Sequence, residues 1–249
     1  MEEQYLRAEL NMRLSNVYSH SNSTITFVIT LWSAVLALIS VFYEQFRDNL
    51  QWLPFVVPLI FLITSCYIFF AAQKFNENLN QINKLATYYA CFYNNPFSDK
   101  LRVNSWEYST LELQVESISR KTKTQKVLTN MNGEYVFFSV VSMIIGVIVI
   151  CVGLYRWKEE TPLMIILCVY AVVIVGVNLA LIGRIYVLTS LSHITEQKLS
   201  FMHDWIEYGH KKGVFDQKDI KERFGIILNA YQRSERRRKR TASKNRRAK

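Results

Sequence analysis

The sequence predicts an all-α polytopic membrane protein, with four transmembrane helices in two hairpins (a possible tandem repeat) and long cytoplasmic helical extensions. Three observations lead there. Four apolar runs, at 24–43, 53–72, 135–155 and 162–183, are each about 20 residues long, and at about 1.5 Å per residue such a helix crosses a hydrocarbon core of about 30 Å. None of the runs contains Asp, Glu, Lys or Arg. The 30 Lys and Arg divide unevenly around them: 2 before the first run, 1 in the first connection, 8 in the second, 2 in the third and 17 after the fourth. Termini and central connection therefore hold 27 against 3 in the two short connections, and the positive-inside bias places both ends in the cytoplasm of an inner-membrane protein.

The elements follow in chain order. Residues 1–23 form a cytoplasmic amphipathic helix with Leu6, Leu10, Leu14 and Val17 on one face. Its opening stretch, MEEQYLRAELNMRLSNVYSH, carries three acids and two Arg and has no short apolar core, so it does not read as a secretory signal. Residues 24–72 make the first transmembrane hairpin, in which Pro54 suits a first helical turn and Pro58 should bend the second span. The connections YEQFRDNLQ and RWKEET are too short to fold, which excludes an external receptor or enzyme domain between the spans.

Residues 73–134 are long enough for a cytoplasmic helical hairpin. In its first arm Phe75, Leu79, Ile82, Ala86, Tyr89 and Tyr93 recur at alternating steps of 4 and 3, the seam of a coiled coil. These side chains are the expected cytoplasmic face for an oligomer or protein partner. Asn94, Asn95 and Pro96 stop the arm, and a second arm starts near Ser105 with Leu111, Val115 and Ile118 on one face. Residues 135–183 form the second transmembrane hairpin. Residues 184–231 continue as a long helix through Leu188, Leu191, Met202 and Trp205, then a short amphipathic helix with Ile220, Phe224, Ile227, Leu228 and Tyr231 on one face. The parts of 5–93 recur in the same order over 105–208, which fits a duplication with parallel repeats and equally fits any four-span chain divided into two hairpins.

Candidate functional residues follow from what lipid tolerates. Gly146 and Gly153 lie seven apart in the third span and Gly176 and Gly183 seven apart in the fourth, so each helix offers a groove for close backbone approach. The tightest helix contact is expected between these two spans. Ionisable groups in a span mark transport pathways, and there are none. Among the polar side chains Thr30, Ser33, Thr64, Ser65, Ser142 and Asn178, the last is the pore-lining candidate, with a hydrogen bond to a neighbouring helix the favoured reading. Coupled transport is disfavoured and a passive pore is not.

No enzyme motif is present: no Walker loop, G-x-S-x-G or G-x-G-x-x-G occurs, and no cofactor is expected. His203 and His210, with Asp204 and Glu207 nearby, lack the i, i+4 spacing of a metal pair. Cys66, Cys91, Cys151 and Cys168 form no C-x-x-C pair. The tail RSERRRKRTASKNRRAK has 10 basic residues in 17 and one acid, and is expected to be disordered over 232–249. Arg236, Arg237, Arg238, Lys239, Arg240, Lys244, Arg246 and Arg247 would attract the phosphate of anionic lipid or of nucleic acid, or else meet a protein partner.

The unit from Tyr5 to Tyr93, an amphipathic helix, two spans joined by a tight turn and a long cytoplasmic helix, resembles the SLATT-type two-span effectors of bacterial conflict systems. The resemblance is one of layout. It implies an oligomeric membrane-perturbing or pore-forming effector in antiviral defence that responds to a nucleotide signal or a partner. The chain departs from that pattern in having two such units and no evident sensor domain.

Overall fold

In a computed structural model, the described residues are 2–45, 53–93, 133–157 and 161–247. They form six α-helices and, among the described residues, no strand: α1 (Glu2–Gln45), α2 (Leu53–Phe92), α3 (Gly133–Arg156), α4 (Thr161–Thr189), α5 (Leu191–Lys211) and α6 (Gln217–Arg247). Three of them, α2, α3 and α4, are long and apolar enough to cross a membrane. The run at 24–43 lies within α1. The second arm expected from Ser105 and the stop at Asn94, Asn95 and Pro96 fall outside the described residues.

The chain separates into two compact units, one of Val17–Asn76 and Asn130–Thr189, the other of Met1–Asn16, Glu77–Thr129 and Ser190–Lys249. Both α1 and α2 contribute unbroken helix to each unit. Helix α2 runs unbroken past the expected boundary at residue 73, and the division between the units falls on it at Asn76 and Glu77. Nothing in KFNENLNQINKLATYY breaks a helix, and helix propagation across it is favourable once the first turns exist.

In the first, apolar unit, burial follows a near-heptad rhythm. On α3 the buried positions are Tyr135, Ser139, Ser142, Gly146, Ile150 and Gly153, at steps of 4, 3, 4, 4 and 3. On α4 they are Leu167, Ile174, Asn178, Ile185 and Thr189, at steps of 7, 4, 7 and 4. On α1 Val17, Ser21, Thr24, Val28 and Val35 keep the same rhythm. Such a stripe is what left-handed helix bundles bury. The α3–α4 pair makes the most extensive helix contact in this unit.

In the second unit, α5 and α6 form a hairpin around Leu199, Met202, Ile206, Phe215, Phe224 and Ile227, with Ala90 and Cys91 of α2 in the same core. Trp205 donates its indole N–H to the Lys84 carbonyl at 3.1 Å and meets Tyr88 edge-on at 4.9 Å. Phe224 and Ile227 are buried and Ile220, Leu228 and Tyr231 pack against them, the face expected from the sequence.

Two expectations are corrected in this unit. The long helix through Leu188 and Leu191 is interrupted: α4 ends at Thr189 and Ser190, extended at φ −70° and ψ 136°, caps α5 by accepting the His193 N–H at 3.3 Å. Serine at that position satisfies one of the orphan donors of the new helix, which makes a break here inexpensive. Second, the segment expected to be disordered from 232 is helical as far as Arg247. Arg, Lys and Ala are good helix formers, and cations near a helix C-terminus meet the negative end of its dipole.

The α5–α6 turn is a Schellman motif. Gly213 N–H donates to His210 O at 3.0 Å and Val214 N–H to Gly209 O at 2.8 Å, with Gly213 at φ +72°. That left-handed conformation costs a side-chain-bearing residue about 1–2 kcal/mol. Gly213→Ala is expected to lower the unfolding free energy of the detergent-solubilised chain by about that amount, and Gly213→Asn by less. Chemical denaturation followed by far-ultraviolet circular dichroism measures both; equal stability of alanine and glycine would contradict the left-handed cap.

Candidate functional site

The apolar unit holds its chemistry on the inside. Val169, Val172 and Ile166 of α4 are largely exposed, Val172 to 74%, while Asn178 on the same helix is exposed to only 2%. Thr64, Ser65, Ser139 and Ser142 are equally buried. In water the arrangement would be inverted, because exposed Val and Ile cost free energy that burial recovers. In hydrocarbon it is the stable one, since polar groups facing lipid would have no partner.

Some of these polar groups are satisfied by their own helices. Thr64 donates to Ile60 O at 3.0 Å, Ser65 to Phe61 O at 3.2 Å, and Asn178 Nδ2 to Ile174 O at 2.9 Å. Among these five side chains, Ser139 Oγ, Ser142 Oγ and Asn178 Oδ1 have no hydrogen-bond partner. Ser139 lies 17 residues before Arg156 and Asn178 lies 17 after Thr161, so the two stand at the same level of the α3–α4 hairpin. That level is about 26 Å from the connecting turn, in the part of the spans nearest the central connection and the C-terminal region. A buried hydroxyl or amide without a partner costs about 1–3 kcal/mol, so a water or polar solute that reached this level would find acceptors and donors waiting.

The opposite end of the unit is closed by a proline–glycine seam. A methyl group on Gly153 would stand 2.6 Å from Cβ and Cγ of Pro54 and 3.0 Å from Cδ2 of Leu167; one on Gly146 would sit at 3.7 Å from Pro58. Phe55 stacks on Trp157 with centroids 5.8 Å apart and meets Tyr170 at 5.4 Å, while the Tyr170 hydroxyl donates to Phe55 O at 2.6 Å. Trp157 and Tyr170 combine apolar bodies with polar tips, as residues at a membrane interface do. Farther along, Trp32 of α1 contacts both Phe61 of α2 and Phe138 of α3, at 5.7 and 5.5 Å.

The glycine expectation is thus half corrected. Gly146 and Gly153 do mark a close approach, but it is to the prolines of α2; at Gly153 it also reaches Leu167 of α4. Gly176 and Gly183 face open space and are exposed, because the heptad stripe of α4 runs through Asn178 and Ile185 instead. Asn178 is inward, and the bond it makes is to its own helix rather than to a neighbour. Ser139 was not singled out from the sequence, although the series Ser139, Gly146, Gly153 at steps of seven is a signal that finds it.

The expected partner face is corrected as well. Phe75, Leu79, Ile82 and Tyr89 are buried by the chain itself and Tyr93 is half-buried. Phe75 meets Tyr135 edge-on at 6.1 Å, and Tyr89 accepts from Arg7 Nη2 at 2.6 Å beneath its guanidinium. The alternating spacing does mark an apolar seam, and its occupant is intramolecular. Of the basic residues, Arg236 is exposed and Arg237, Arg238, Lys239, Arg240, Lys244, Arg246 and Arg247 lie on the last turns of α6. His203 stacks on Tyr231 at 4.3 Å and His210 Nδ1 lies 3.0 Å from Phe215 O. Glu207 pairs with Lys211 at 2.6 Å, and that bond holds its carboxyl below the usual range.

No family model, curated protein or solved structure matches the chain.

The seam separates the glycines by substitution. Gly153→Ala is expected to destabilise the full chain by about 1–3 kcal/mol through overpacking against Pro54, and Gly176→Ala to change stability by less than about 0.5 kcal/mol. Thermal unfolding in detergent distinguishes them; equal effects would mean the Gly153–Pro54 approach does not exist.

Proposed function

We propose that the chain is an oligomeric, four-span inner-membrane effector whose cytoplasmic helical unit responds to a signal or partner and alters the packing of the spans. The observation that carries this reading is the inverted polarity of the apolar unit: lipid-compatible Val and Ile outside, with Ser139, Ser142 and Asn178 hidden and incompletely bonded inside. The run at 24–43 in α1 is the fourth span, and the distribution of Lys and Arg orients both termini to the cytoplasm. Because α1 and α2 each run on from one unit into the other, a shift in the amphipathic unit has a continuous chain along which to act. A small opening of α3 from α4 would bring water to the Ser139 and Asn178 level, and the unmet donors and acceptors there lower the cost of that wetting.

The layout shared with SLATT-type effectors supports membrane perturbation in antiphage defence as the setting. A scaffold that holds a nucleic-acid-acting partner at the membrane is the second reading, favoured by the basic end of α6. A small-solute channel with a housekeeping role would use the same polar level without a trigger.

Induced expression tests these readings together. The effector reading expects loss of membrane potential, measured by a potential-sensitive dye, that falls at least severalfold in Asn178→Leu while the protein level is unchanged. No change in potential, with a protein or nucleic acid recovered alongside the chain, would favour the scaffold. Growth dependent on one solute would favour the channel.

A further inference from the structure

We propose that the basic end of α6 binds the phosphates of anionic lipid in the same leaflet from which α4 emerges. The proposal rests on the membrane reading of the apolar unit and goes beyond it by assigning an occupant to the charged segment. Residues 236–247 hold eight basic residues and no acidic one, all on continuous helix. The position of that helix follows from its packing on α5. His203 stacks on Tyr231, which fixes the level at which the two arms of the hairpin meet. Twelve residues back along α5 from His203 is Leu191, and twelve residues forward along α6 from Tyr231 is Ser243. Each path is about 18 Å of helix, so Ser243 is carried back to the level of Leu191.

Leu191 is joined through Ser190 to Thr189, the last residue of α4. From Gly183, where the apolar run ends, to Ser190 is seven residues, about 10 Å of chain at helical rise. Connectivity alone therefore keeps the open end of the α5–α6 hairpin close to the leaflet, whatever the angle at Ser190. The basic turns of α6 lie at that open end. Lys244, Arg246 and Arg247 lie past Ser243 at the open end, with residues 236–240 about 5–10 Å farther from it, and attraction to anionic headgroups falls off over about 8 Å at physiological salt, so the last turns carry most of it. Had α6 ended at Tyr231, or had the tail left the hairpin at its closed end near Gly213, the charge would be carried away from the surface. Residues 232–249 contain no Phe, Tyr or Trp to stack on bases, which removes the feature that single-stranded nucleic acid binding uses.

Hydrogen–deuterium exchange of the full chain in nanodiscs tests the assignment, read on the peptide covering 236–247. In discs with about a third phosphatidylglycerol, exchange of that peptide is expected to slow at least tenfold relative to pure phosphatidylcholine. The protection is expected to disappear at 0.5 M salt, a screening length of about 4 Å, and in a variant with Lys244, Arg246 and Arg247 changed to Gln. Equal exchange in the two lipids would overturn the proposal. So would protection by duplex DNA in phosphatidylcholine discs that anionic lipid fails to produce, which would assign the segment to nucleic acid. Slow exchange of peptides from 135–155 reports the membrane reading separately; if those peptides exchange freely or the chain does not enter the discs, that reading fails first and this proposal with it.

Discussion

Hydrocarbon cannot hydrogen-bond, and the architecture of the apolar unit follows from that constraint. Every backbone donor in α2, α3 and α4 has to be met within its own helix, which is why the runs are long, uninterrupted and uncharged. The same constraint decides which face of α4 turns inward. From Pro162 to Gly183 it is almost uniformly apolar, so periodicity of hydrophobicity cannot orient it, and the one amide in the helix does. With Asn178 inside, Leu167, Ile174, Ile185 and Thr189 fall on the same stripe, and Gly176 and Gly183 are left on the outside.

Packing between helices then rests on shape rather than on a hydrophobic driving force, because lipid tails are as apolar as leucine. Pro54 against Gly153 is the clearest instance. Proline carries no N–H to orphan in the first turn of α2, its ring is compact, and the missing side chain of glycine admits it. Around this point Phe55, Trp157 and Tyr170 supply aromatic area with one polar tip bonded to a backbone carbonyl. At the other end the packing is looser in chemistry: hydroxyls and an amide occupy the stripe where aliphatic side chains would bind more firmly. One end of the unit is thus fastened by close contact and the other is polar and incompletely bonded.

Much of the helix layout was legible in the sequence, since α3 and α4 contain the expected runs and the apolar faces of α2 and α6 are buried where the 3-and-4 spacing placed them. What was not legible has physical causes. Spacing finds a seam without naming its partner, so Phe75, Leu79, Ile82 and Tyr89 read as a surface for another molecule when the chain fills it with its own residues. Glycines at steps of seven mark a possible groove, and only the neighbouring helix decides whether it is used; Gly146 and Gly153 are, whereas Gly176 and Gly183 are not. Composition judged the charged tail against water alone and so missed the helix that α6 carries onward from its packed turns. The break at Ser190 was hidden because serine is ordinary within a long helix and informative only once its hydroxyl is seen to accept from His193.

The central claim is that Val172 faces lipid while Ser142 faces protein. Nitroxide labels at Val172→Cys and Ser142→Cys, in a chain freed of its four native cysteines and reconstituted in bilayers, measure it by collision with oxygen and with a water-soluble nickel chelate. The account predicts high oxygen and low nickel accessibility at 172, and low accessibility to both at 142. Nickel reaching 172 more readily than oxygen would contradict it.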